Sequence, residues 1–227
     1  MTDLKNKFDA LVAKMQTEES KEAARSLFRA TPQELAEAYK RGITPRTSLT
    51  SPLRIDSIGL NIGDAAIGMT ICPGKQGPSI HGGPWMRNLE TDIEVIRKWG
   101  CSILLTFMEP GELESYHVSN LGDVAAAAGI RWIHIPITDG DPPDERFEAS
   151  WPVVGREVFA ALQSGKRIVI NCLGGLGRTG MIACLFLIES GKRPREALEL
   201  VRMTRPGSVE TPAQESFIFG YTQRFNL

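Results

Sequence analysis

Cys172 and Arg178 stand six positions apart, joined by Leu173-Gly174-Gly175-Leu176-Gly177 and followed by Thr179. Ile168-Val169-Ile170, just upstream, is a short β-branched run of the kind that fills a buried strand. From Arg178 onward the chain is apolar over a helical length, through Met181 to Ile188. Strand, glycine loop and helix together make an anion cradle. Glycines let successive backbone N–H groups turn inward without a Cβ in the way. The helix start adds unpaired N–H groups and the positive end of its dipole.

A thiol in such a cradle loses its proton readily; cysteines at helix N-termini and beside cations fall to about 3.5–7.5, against about 8.5 when free. Cys172 is therefore expected as a thiolate nucleophile. Arg178 offers a planar fork for two oxygens of a tetrahedral dianion. Thr179 carries a hydroxyl that can donate to the sulfur when sulfur must leave. The constellation reads as attack by Cys172 on phosphorus, with the phosphoryl oxygens held by Arg178 and by the backbone of Leu173, Gly174, Gly175, Leu176 and Gly177.

The run from Cys172 to Thr179 resembles the signature loop of the cysteine-dependent protein phosphatases, the tyrosine and dual-specificity superfamily. Within it, the chain is most similar to the kinase-associated phosphatase group of dual-specificity enzymes. The residues that carry this are Asn171 to Arg178, Glu112-Leu113, Val118-Ser119-Asn120-Leu121, and the loop Ile135-Pro136-Ile137-Thr138-Asp139-Gly140-Asp141-Pro142-Pro143-Asp144. The likeness spans roughly residues 60 to 225. It implies hydrolysis of phosphotyrosine, phosphoserine or phosphothreonine in proteins through a cysteinyl-phosphate. One departure is plain: the family usually has His before the cysteine, and here Asn171 stands there. An amide still offers N–H donors to fix the loop. It carries no positive charge, so a smaller thiol shift than the family's is expected.

The departing alcohol or phenol needs a proton. Asp139, Asp141 and Asp144 lie in one loop after a strand. Beside Gly and Pro, Asp is usually a turn-former, and two of the three are expected to be that. The resemblance favours Asp139 as the general acid, with Asp141 second and Asp144 third. It also implies that Gln214, in Val209-Glu210-Thr211-Pro212-Ala213-Gln214, positions the hydrolytic water. The same residues read as a helix start, Thr211 capping and Pro212 in the first turn.

Two other readings of the loop remain. A phosphatase-fold module that binds phosphorylated ligands without turning them over is suggested by Asn171. Sulfur transfer of the rhodanese kind also uses a cysteine in an anion loop, typically one residue shorter than this one.

The elements that must position these groups follow from periodicity. Strands are expected over Ser102–Phe107, Arg131–Ile137 and before Cys172, with a strand or hairpin over Ile58–Ile71. Helices are expected over Trp85–Gly100, Phe147–Ser164, 178 to 190, Pro194–Met203 and Thr211–Arg224, with short helical pieces near Glu112 and over Asn120–Ala128. Strands alternating with helices argue an α/β fold, a mostly parallel central sheet covered on both faces, with the site beyond the carboxyl ends of the strands. Residues 51–227 would be the catalytic domain. Residues 1–50 would be an N-terminal helical extension, with helices up to about residue 30 and over Gln33–Lys40, that packs on the domain or forms a partner or dimer contact. Thr47–Leu53 reads as a linker and Pro73–Pro84 as a loop.

Hydrophobic residues make up 42% and charged residues 23% of 227, an ordinary balance for a soluble globular chain. A net charge of −1 gives no bulk attraction to nucleic acid or to an anionic membrane. There is no apolar run of membrane length and no signal-peptide core at Met1–Phe8, so a cytoplasmic location is expected. Cys72, Cys101 and Cys184 have no ligand or disulfide spacing and read as buried thiols. The histidines do not cluster; no metal and no cofactor is implied. The loop itself holds no lysine and no arginine besides Arg178, which favours a phosphoprotein over a highly charged inositol phosphate. Lys166, Arg167, Lys192, Arg193, Arg195, Arg202 and Arg205 are mostly expected on solvated faces, with some available to a second phosphate.

Overall fold

The computed structural model describes residues 45–77 and 83–225. The expected N-terminal helices lie outside the described residues. Among those described, five strands form the main sheet: β2 (Asp56–Gly59), β3 (Ala66–Thr70), β6 (Cys101–Thr106), β7 (Arg131–His134) and β8 (Arg167–Asn171). Their spatial order is β2-β3-β8-β6-β7. β3, β8, β6 and β7 run parallel, and only the edge strand β2 is antiparallel to its neighbour. The expected α/β architecture is present, with β8 and its glycine loop at the centre.

Alternation along the strands divides the core in two. Ile168 and Ile170 of β8 join one cluster with Ile103 and Leu105 of β6, while Val169 and Leu104 point to the other. The first face is covered by α4 (Glu145–Gln163), α5 (Gly177–Glu189), α6 (Pro194–Thr204) and α7 (Pro212–Gly220). The second is covered by α1 (Leu89–Lys98), α2 (Pro110–Ser115) and α3 (Leu121–Ala127). All of α5 is buried, which is why its sequence is apolar around its whole circumference.

Some boundaries differ from the periodicity. Trp85–Met86 is not helical; it is a short strand, β5, and α1 begins only after Asn88, whose side chain accepts from Thr91 N. β5 pairs with β1 (Arg46–Thr47), which ends at the first residue of the expected linker, and with β4 (Gln76–Gly77), which lies within the Pro73–Pro84 loop; the three form a small second sheet. β7 stops at His134 rather than Ile137, and α7 stops at Gly220 rather than Arg224. The backbone turns extended at Tyr221, and beyond it Arg224 N and Phe225 N donate to the buried Glu189 carboxylate.

The small sheet is joined to the main body by a buried ion pair. Arg87 and Asp92 side chains are 1% and 0% exposed, bonded through Nε at 2.7 Å and Nη2 at 2.8 Å. Asp92 also accepts from Gly74 N at 2.8 Å, and Arg87 Nη1 donates to Ser51 O at 2.7 Å. Breaking a buried pair strands the remaining charge, so Asp92→Ala is expected to destabilise the fold by about 3–5 kcal/mol. Urea unfolding measures it; a loss below about 1 kcal/mol would contradict this placement.

Candidate active site

The loop begins where β8 ends. Thr70 and Asn171 are register partners at the ends of β3 and β8, and the backbone then departs from the sheet at Cys172, 2% exposed. Gly175 has φ +68, and a Cβ there would come within 2.3 Å of Thr70 O. Only glycine tolerates both conditions. α5 starts at Gly177, so its free N–H groups lie at the loop's far end, as the glycine spacing suggests.

Arg178 is fully buried and held from two sides. Its Nη1 donates to Phe107 O at 3.1 Å, Ile137 O at 3.0 Å and Glu112 Oε2 at 2.6 Å. Its Nη2 donates to Glu112 Oε1 at 2.8 Å and pairs with Asp139 Oδ1 at 2.8 Å. Burial opposes its charge, but the Glu112 hydrogen bonds, with Cys172 and Asp139 nearby, hold its pKa above the ordinary guanidinium value. Its Nε has no partner among the described residues. The fork is thus oriented at its outer edge, with a donor left free at its inner one.

The three aspartates separate cleanly. Asp139 alone reaches Arg178. Asp144 caps α4, accepting from Arg146 N and Phe147 N. The Asp141 backbone N–H closes a turn on Thr138 O, and its side chain is exposed. The structure therefore brings together Cys172, Arg178 and Asp139, and leaves Asp141 and Asp144 to the turn and the cap.

Gln214 is fully buried in the first turn of α7. Its Oε1 accepts from Glu210 N at 3.0 Å, and its Nε2 has no partner among the described residues. Thr211 caps α7 through Gln214 N, as expected, and its hydroxyl also donates to Gly140 O at 2.8 Å. That bond joins the loop of Asp139 to the loop of Gln214. Val209, just before, sits at φ +62, a left-handed conformation that costs a β-branched residue about 1–3 kcal/mol. Thr179 Oγ1 is buried and unpartnered among the described residues.

Asn171 does not act as the sequence suggested. Its Oδ1 accepts from Thr106 Oγ1 at 2.9 Å, while its Nδ2 donates to nothing among the described residues. Other groups fix the loop. Arg205 Nε donates to Gly175 O at 2.6 Å and its Nη1 to Asp56 Oδ2 at 2.6 Å. Glu210 Oε2 accepts from Gly177 N at 2.8 Å. Cys72 N and Lys75 Nζ both donate to Leu173 O, at 3.3 Å and 3.0 Å. Arg205, one of the basic residues expected mostly on solvated faces, is a loop brace; Arg202 likewise donates to Ser208 O and Val209 O. The bracing roles of Glu210, Lys75 and the Glu112 carboxylate are not legible in the sequence. Glu210 and Glu112 stand there only within resembling segments, and Glu112 also as the third residue after the capping position Glu109.

Cys101 and Cys184 are buried in the core, and burial pushes both thiols up to about 12. They are inert packing groups. No group of His, Cys, Asp or Glu among the described residues is arranged to hold a metal ion. No helix among them is long and apolar enough to cross a membrane.

Comparison with known proteins places the chain in a family. Residues 48–198 match the family Cyclin-dependent kinase inhibitor 3 (CDKN3). Cyclin-dependent kinase inhibitor 3 of Mus musculus is 32% identical over 140 residues, 61% of this chain and 65% of that protein. The Homo sapiens protein of the same name is 33% identical over 141 residues, with the same coverage of 61% and 65%. The chain therefore spans slightly under two thirds of the length of these relatives. Among solved structures, kinase associated phosphatase (KAP) with its catalytic site cysteine substituted by serine superposes with a TM-score of 0.65 at 28% identity, covering 74% of this chain and 93% of that one. Tk-PTP in its active form gives 0.53 at 27% identity, covering 72% and 93%. The chain belongs to the cyclin-dependent kinase inhibitor 3 family, within the tyrosine and dual-specificity phosphatase superfamily.

Proposed function

We propose that the protein hydrolyses phosphate monoesters of phosphoproteins, on tyrosine or on serine and threonine, through a phosphorylated Cys172. The observation that carries this reading is the state of Arg178. It is a buried guanidinium oriented by Glu112, with its Nε unpartnered among the described residues, at the end of a glycine loop that begins with Cys172.

In the first step the Cys172 thiolate forms an S–P bond as the P–O bond of the ester breaks. The electron pair goes to the ester oxygen, which takes a proton from Asp139. The Asp139–Arg178 contact gives this step an order. Phosphate oxygens replace Asp139 on Nη2, which frees the Asp139 side chain to serve the ester oxygen. In the second step water attacks phosphorus and gives a proton to the Asp139 carboxylate. The S–P bond breaks, and the thiolate leaves with a hydrogen bond from Thr179. The unpartnered Nε2 of Gln214 suits it to hold that water. Names of relatives support the class of reaction, and the scarcity of cations within the loop supports a protein substrate.

Hydrolysis of a chromogenic aryl phosphate with a chelator present tests the reading. Turnover by the wild type is expected; phosphopeptide binding without turnover would favour the binding-module alternative. Asp139→Asn is expected to lower kcat by about 10²–10⁴ on alkyl or phenyl phosphates, the usual worth of a positioned general acid. The loss should shrink on esters whose leaving group needs no proton. An equal loss on both kinds of ester would contradict the role of Asp139.

A further inference from the structure

Lys75 belongs to none of the motifs in the sequence, yet its side chain ends at the Cys172 loop. It follows β3 through a turn that leaves it little freedom. Gly74 has φ +71, and a Cβ there would meet the Leu89 backbone at 2.7 Å. Gly74 N is tied to the buried Asp92, and Lys75 O accepts from Arg87 N at 3.2 Å. Lys75 is 5% exposed. Its Nζ donates to Leu173 O at 3.0 Å and lies 4.2 Å from the centroid of the Trp85 ring.

A buried ammonium is costly unless an anion answers it. Among the described residues no carboxylate lies within ion-pair distance of Lys75. Asp92, on α1, is committed to Arg87 and Gly74, and Glu112, on α2, to Arg178. The other charged groups that act on Lys75 are Arg87 and Arg46, both cations. The two anions in prospect are the thiols of Cys72 and Cys172, the leading electrostatic influences on Lys75 after burial. Burial pushes the Cys72 thiol far up, so Cys72 stays neutral. Cys172 is left as the acidic group nearest in effect to Lys75.

We propose that Lys75 is a positioning residue of the nucleophile: its ammonium fixes the Leu173 carbonyl and provides the stationary cation against which the Cys172 thiolate forms. Asn171, directly before the nucleophile, is neutral and turned to Thr106, so it supplies no such charge. Arg178, already paired with Glu112 and Asp139, is shared with the substrate. Lys75, bonded to the loop backbone at Leu173 O, acts independently of substrate. Burial pulls its own pKa down to about 8. Its charge is present below that pH and lost above it.

The inference rests on Cys172 being the nucleophile, and alkylation tests it without requiring turnover. The rate of Cys172 modification by iodoacetamide is followed against pH by peptide mass spectrometry, for wild type, Lys75→Met, Lys75→Gln and Lys75→Arg, with kcat/KM measured in parallel. Gln keeps a donor for Leu173 O and removes the charge; Arg keeps the charge. On the acidic side, Met and Gln variants are expected to be alkylated about tenfold more slowly than wild type, the effect of one pK unit. The curves should converge above about pH 8, where wild-type Lys75 is also neutral. Lys75→Arg should retain the fast acidic limb. Identical profiles, or a loss independent of pH, would overturn the proposal. If Lys75→Met does not fold, the Gln and Arg pair decides by the same criterion. Charge-dependent alkylation in a protein that hydrolyses no phosphate ester would refute the phosphatase reading and leave this one standing.

Discussion

Cys172→Ser is expected to reduce aryl phosphate turnover by at least about 10⁴-fold while leaving phosphate-ester binding in place. The scale is that of removing the nucleophile from a site that works as a unit. The alcohol of serine is not ionised at neutral pH and is a far weaker nucleophile than a thiolate. Cys172 is 2% exposed and the replacement is smaller, so the fold should be retained. Loop braces that hold the phosphate site, Arg205 on Gly175 O and Lys75 on Leu173 O, do not involve the sulfur. Substrate affinity measured by calorimetry should therefore survive. Loss of affinity equal to the loss of turnover would mean that the substitution disrupts the cradle rather than the chemistry.

Arg178→Lys should be almost as severe, for a different reason. Lysine keeps the charge and loses the fork. Arg178 makes five directional contacts through Nη1 and Nη2, to two carbonyls and two carboxylates, with Nε still to spare. An ammonium has three donors at one point, so it cannot satisfy Glu112 and the backbone while also gripping a phosphate. A fall of about 10²–10³ in kcat is expected from the lost transition-state donor, together with weaker substrate binding. Thermal unfolding separates this from instability, since Phe107 O and Ile137 O also lose partners. A variant with normal kcat and raised KM alone would show that Arg178 binds without assisting the reaction.

Much of the site could be read from the sequence because its chemistry is local. Cys172 to Thr179 is one continuous segment, and its glycines, cysteine and arginine each have a role fixed by their near neighbours. The strand Ile168-Val169-Ile170 and helix α5 announce themselves by composition, and both occur where expected. The resemblance singles out Asp139 and Gln214; the structure places Asp139 on Arg178 and buries Gln214.

What was missed depends on contacts between distant parts of the chain. Lys75 meets Leu173 across 98 positions, and Arg205 meets Asp56 across 149. Nothing in the sequence around either residue marks it as buried; each is one basic residue among 26. The same holds for Trp85 and Met86. Their periodicity continues smoothly into α1, and only pairing with β1 and β4 makes them strand. Tertiary pairing overrides local preference in such short elements. Asn171 illustrates the converse: its residue type suggested a donor to the loop, but Thr106 on the neighbouring strand supplies the hydrogen bond its oxygen accepts.

The central claim is a covalent bond between Cys172 and phosphorus, and rapid acid quenching during steady-state turnover tests it most directly. Denatured enzyme is digested and searched for a peptide heavier by one phosphoryl group. Gln214→Ala, which should slow the attack of water on the intermediate, is run beside the wild type to raise its yield. The account predicts phosphate on the Cys172 peptide alone, formed as fast as the alcohol is released and enriched in the Gln214 variant. Steady turnover with no phosphate on Cys172, or with phosphate on another residue, would contradict it.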